Sequence, residues 1–110
     1  MEIQDVPFCT IDWNQATPSE HPGVTGIAYW RTLEIGNIRV RMVEYSSGYF
    51  ADHWCSRGHV LLVLEGELTT ELQDGRVFTL KPGMSYQVED DESNPHRSRT
   101  ETGATLFIVD

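Results

Sequence analysis

Apolar and polar residues alternate in short runs along most of the chain after residue 26, and almost every run is closed by Gly, Pro, Asn or Asp. Such alternation is the mark of a half-buried strand, because successive side chains leave a strand on opposite faces. No helix-length segment carries the 3.6-residue period of an amphipathic helix. The pattern predicts strands over 27–33, 38–45, 49–55, 59–64, 67–72, 76–80, 85–88, 96–100 and 104–109. Gly36-Asn37 and Asp74-Gly75 are tight hairpin signals; Ser46-Ser47-Gly48, Ser56-Arg57-Gly58 and Pro82-Gly83 break the chain elsewhere. In 38–45, Ile38, Val40 and Met42 share one parity and Arg39 and Arg41 the other. The arginines are therefore expected to face solvent, with one of them reaching a substrate carboxylate as the alternative.

Many short strands joined by Gly-rich turns define an all-β chain, an antiparallel sandwich or barrel. Residues 1–26 contain Pro7, Pro18, Pro22, Gly23 and Gly26 and read as an N-terminal arm, with one candidate edge strand near Pro7-Phe8. Residues 27–110 form the barrel. A chain of 110 residues is one domain.

Charge narrows the partners. Seventeen acidic and 8 basic residues give a net charge of −9, which repels phosphate backbones and anionic membrane surfaces, so neither nucleic acid nor membrane is an expected partner. The acidic run Glu89-Asp90-Asp91-Glu92 reads as a solvated loop, since it lacks the spaced ligands of a calcium loop. The longest apolar run, Val60-Leu61-Leu62-Val63-Leu64, has strand length and cannot span a bilayer as a helix. The opening residues carry no apolar signal core, so a cytoplasmic chain is expected. There, Cys9 and Cys55 are free thiols or ligands rather than a disulfide; Cys9 is expected to pack, and His21 to be structural or exposed.

The chemistry concentrates in two places. His53, Cys55 and His59 sit together, and His96 lies downstream. On a strand His53 and Cys55 share a face while Trp54 points away. A turn at Gly58 lets His59 face the same interior, and His96 can join from a later strand. Imidazole and thiolate suit zinc and other borderline first-row ions. Each residue also has a plainer role: Cys55 as a small buried hydrophobe, His53, His59 and His96 as hydrogen-bonded or surface histidines.

The frame of these residues resembles the cupin family. Its first motif runs Gly, His-x-His, Glu, Gly at fixed intervals; here Gly48, His53-Trp54-Cys55, His59 and Gly66 fill it, with Cys55 for the second His and His59 for the Glu. Gly75, Pro82-Gly83 and His96 fill the second, with a longer final interval and Thr100 where Asn is common. The resemblance covers roughly residues 35–110. Within cupins the tetrad Asp52-His53-Trp54-Cys55 is similar to the DHCW-motif cupin-fold group, with the last two letters exchanged.

The resemblance implies a double-stranded β-helix, a jelly-roll barrel, holding one divalent transition metal ion. Zinc is the first choice, with nickel, iron or copper as alternatives. The ligands it implies are His53, His59, His96 and Cys55. Four ligands would close the site; three would leave a position for water or substrate. Tyr49, Tyr86 and Met42 are the expected ligand-binding residues of the barrel mouth, and Trp30, Phe78 and Phe107 are core or pocket. The expected function is a metal-binding cupin that binds a small molecule with no identified reaction. The alternative is a metal-dependent oxygenase or isomerase acting on a small polar molecule, with Tyr86 or a metal-bound hydroxide as base. The arm with Trp13 is expected to cover a barrel edge, its own or that of a second copy in a homodimer.

Overall fold

The computed structural model describes residues 2–90 and 93–110. Nine strands are formed: β1 (Ser19–Pro22), β2 (Ile27–Ile35), β3 (Ile38–Tyr45), β4 (His59–Gly66), β5 (Leu68–Leu72), β6 (Val77–Leu80), β7 (Ser85–Val88), β8 (His96–Arg99) and β9 (Ala104–Val109). They make a six-stranded sheet in the order β1-β2-β3-β9-β4-β7 and a three-stranded sheet in the order β6-β5-β8. All pairings are antiparallel. The result is a jelly-roll barrel.

The β2–β3 hairpin turns at Gly36-Asn37, with Ile35 opposite Ile38. Strand β9 lies between β3 and β4, so Val43 and Val63 both face Leu106, and Arg41 and Leu61 both face Ile108. These inner positions, with Leu68 and Leu80 from the small sheet, form the buried core. A register shift between Val63 and Glu65 lets β4 bend toward β5. At its end Gly66 has φ 77°, and a Cβ there would collide with the Gly103 carbonyl oxygen, so only glycine fits.

Four expectations are corrected. Residues 49–55 form no continuous strand: Phe50 bridges Arg99 and Cys55 bridges His96, while the chain bends between them at Asp52-His53. The edge strand of the arm is Ser19–Pro22, paired with β2, and not Pro7-Phe8, where Phe8 is 97% exposed. The parity of β3 is inverted: Arg41 is buried on the inner face with Val43, and Met42 lies on the outer face opposite Phe107. Alternation alone leaves the sign of a strand open when both faces are covered. Here the arm lies against the outer face. Trp13 contacts Phe107 edge-on at 6.5 Å, and Arg31 Nε donates to the Ala16 carbonyl at 3.1 Å. Cys9 is exposed rather than packed. Of the acidic run, Asp91 and Glu92 lie outside the described residues; Asp90 accepts a hydrogen bond from the Gly58 amide at 2.6 Å.

Candidate metal centre

Cys55 and His96 are placed by the backbone. Each amide donates to the other's carbonyl, at 2.8 and 2.9 Å, and such a directly paired couple projects its side chains to the same face. His59 opens β4, and Leu61, one inner position on, faces Tyr86 of β7. Strands β8, β4 and β7 and the bridged segment at Cys55 thus deliver Cys55, His96, His59 and Tyr86 to one end of the barrel. His59 Nε2 and His96 Nε2 face each other at 3.2 Å, and the Tyr86 hydroxyl lies 2.8 Å from His59 Nε2.

The opposite nitrogen of each imidazole meets an oxygen. His96 Nδ1 lies 3.1 Å from the Asn94 carbonyl and His59 Nδ1 3.7 Å from the Asp110 carboxylate. His53 Nδ1 lies 2.7 Å from the Asp52 carboxylate. For His53 and His96 these contacts favour a proton on Nδ1 and leave the lone pair on Nε2, as in metal-ligating histidines, whereas His59 Nδ1 makes no hydrogen bond among the described residues. His53 itself stays at the rim, with its side chain 70% exposed.

Burial pushes His59 below its ordinary pKa, opposed by Asp110. Burial also acts against protonation of His96, but hydrogen bonds to Cys55 and the Asn94 carbonyl outweigh it and the pKa is raised. The His96 contact in turn lowers the Cys55 thiol toward thiolate, the form that binds metals. Burial holds Tyr86 protonated, so it is a hydrogen-bond donor and not a base at neutral pH.

Beside these residues lies a cavity of about 120 Å³ walled by Trp30, Arg39, Arg41, Tyr45, Tyr49 and the histidines. Tyr49 and Tyr86 line it; Met42 does not, because its side chain leaves β3 on the outer face. Trp30 proves to be cavity wall, Phe107 lies on the outer face under the arm, and Phe78 lines a separate, apolar cavity. His21 stacks on Trp30 at 3.7 Å, a structural role. The sequence reading missed Asp110, whose side chain is 1% exposed and bonds both Arg39 and Arg41. The signal was its parity with Leu106 and Ile108. Burial would raise the Asp110 pKa, but His59, Arg39 and Arg41 hold it well below the carboxylate range.

As placed, no group of three or more His, Cys, Asp or Glu side chains among the described residues is gathered closely enough to hold a metal ion. His59 and His96 come within ligand spacing and Cys55 hydrogen-bonds His96, while His53 is set apart.

No family model and no curated protein matches the chain. Solved structures do, and they show the fold: several of those it resembles are cupin-superfamily proteins. An RmlC-like cupin from Shewanella frigidimarina superposes with a TM-score of 0.72 at 19% identity, over 96% of this chain and 92% of its own. A protein described as a sugar phosphate isomerase from a cupin superfamily, from Silicibacter pomeroyi, gives 0.69 at 18% identity, over 92% of this chain and 74% of that one. Ectoine synthase from P. lautus gives 0.59 at 17%, over 74% and 62%. At these identities the likeness is one of fold.

Proposed function

We propose that the chain is a metal-binding cupin in which His59, His96 and Cys55 hold one divalent transition ion, zinc first among them, beside a cavity for a small molecule. The observation that carries this reading is the pair of Nε2 atoms facing at 3.2 Å. At that spacing both Nε2 atoms can ligate one ion, with His96 Nδ1 holding its proton on the Asn94 carbonyl. Two nitrogens on one tetrahedral zinc stand roughly 3.3 Å apart, given bonds of about 2.0–2.1 Å. Two imidazoles and a thiolate are a borderline donor set suited to that ion. His53 lines the same cavity and is the candidate fourth ligand, free to turn in from the rim. The resemblance of Asp52-His53-Trp54-Cys55 to the DHCW-motif group accords with the reading and brings no established reaction.

A bound ion would supply Lewis acidity to a ligand in the cavity. Tyr86, held protonated, would donate a hydrogen bond beside the ion, and the aromatic walls Trp30, Tyr45 and Tyr49 would help exclude water. The oxygenase or isomerase alternative requires a base, and with Tyr86 protonated none of the described cavity residues other than the ligands is an evident one.

Elemental analysis of untagged protein tests the reading. About one metal per chain is expected. His96→Ala, His59→Ala and Cys55→Ala should each lower metal affinity more than about tenfold, and His21→Ala should not. Equal loss in all four variants, or no metal after reconstitution, would discard it. His53→Ala separates a three-donor site from a four-donor one.

A further inference from the structure

We propose that the barrel cavity is a carboxylate site: a small organic monoacid enters past His53, sets its carboxylate against Arg41 and Arg39, and rests its remaining atoms on Trp30, Tyr45 and Tyr49. The proposal rests on the reading of this cavity as a ligand site, but not on the metal.

The charge distribution points there first. The chain has 8 Lys and Arg against 17 Asp and Glu, yet three of those cations, Arg39, Arg41 and Arg57, surround the single carboxylate of Asp110, at 2.9, 3.0 and 3.6 Å. Arg39 and Arg41 wall the cavity and share one side-chain carboxylate. Arg41 is 6% exposed, and its Nε is buried with no hydrogen-bond partner among the described residues. A buried, unpartnered donor on a charged group is costly, and a ligand oxygen removes the cost.

The surroundings define the acid. The Trp30 ring lies 4.4 Å from the Arg41 guanidinium, fixing its plane as a fork for a carboxylate. Tyr45 and Tyr49 stack at 4.3 Å, and both phenols stay protonated as donors: burial pushes Tyr49 up to about 12 and raises Tyr45 as well. The volume, about 120 Å³, is somewhat below the roughly 150 Å³ that admits benzene, so the acid has about five non-hydrogen atoms. Two guanidiniums that already share one carboxylate suit a monoanion better than a phosphate dianion.

Calorimetric titration of metal-stripped protein with lactate, propanoate, propanamide and inorganic phosphate tests the proposal. The two acids should bind, the amide should not, and phosphate should bind more weakly than either acid. Arg41→Gln should weaken acid binding by at least about tenfold. If that variant does not fold, Arg39→Gln, whose side chain is 18% exposed at the cavity margin, should show the same loss. Acids that bind no better than the amide, phosphate that binds more tightly, or wild-type affinity in a folded variant would overturn it. Acid binding without metal retention would sink the metal reading alone; metal retention without acid binding would sink this one alone.

Discussion

The two ends of the barrel are built from the same strands and do opposite things. At one end the inner positions of β3, β4 and β9 are Val43, Val63 and Leu106, all essentially out of reach of water. One inner position along the strands, Arg41 and Leu61 flank Ile108; at the next come Arg39, His59 and Asp110. Alternation is unbroken, so only residue identity changes, from hydrocarbon to charge within a few residues. The apolar end supplies the burial energy, and that surplus lets the other end hold guanidinium, imidazole and carboxylate groups away from solvent.

Breaking the charged end should have the largest effect. Asp110→Asn leaves Arg39 and Arg41 without a counterion and is expected to cost about 3–5 kcal/mol in urea unfolding. The pH dependence gives a second check. The Asp110 pKa is depressed in the fold, so its stabilisation is fully present above the ordinary carboxylate range. It is lost as pH falls below that range through the folded value. The gap between wild type and variant should hold from pH 8 to about 5 and close in stronger acid. A gap that grows on acidification would contradict the assignment. At the apolar end, Leu106→Ala should cost about 2–4 kcal/mol, by lost burial and a residual cavity, with no such pH signature. The smallest effect belongs outside the barrel: Trp13→Ala removes one edge-on contact with Phe107 and should cost about 1 kcal/mol. A larger loss would make the arm part of the core.

The sequence announced the apolar end better than the charged one. Runs such as His59–Gly66 and Ala104–Val109 alternate cleanly, and the Gly36-Asn37 and Asp74-Gly75 turns fix their neighbours, so strand number and barrel class follow from local pattern. The inward turn of Arg39 and Arg41 could not be read that way. In β3 both parities hold apolar residues, Ile38, Val40 and Met42 on one and Val43 and Tyr45 on the other. The choice depends on an arm that packs over the outer face and on a carboxylate contributed 69 residues from Arg41. The histidine and cysteine spacing was legible: His59 and His96 come within 3.2 Å and Cys55 pairs with His96, though no three such side chains gather closely among the described residues. It placed His53 with them, because it assumed a straight strand where the chain bends at Asp52-His53.

The central position of β9 has a consequence in time. Beyond its hairpin with β2, β3 has no other strand partner until β9 inserts, and β9 also completes β4. The pairings that close the six-stranded sheet therefore join residues distant in sequence, and their loop entropy is paid before any contact repays it. Folding should fall in the slow, millisecond-to-second class of non-local β topologies. A nascent chain that has made β1 through β8 would leave the facing edges of β3 and β4 without the strand that pairs them both. The interval before β9 arrives is thus the moment of greatest exposure to aggregation and to chaperones.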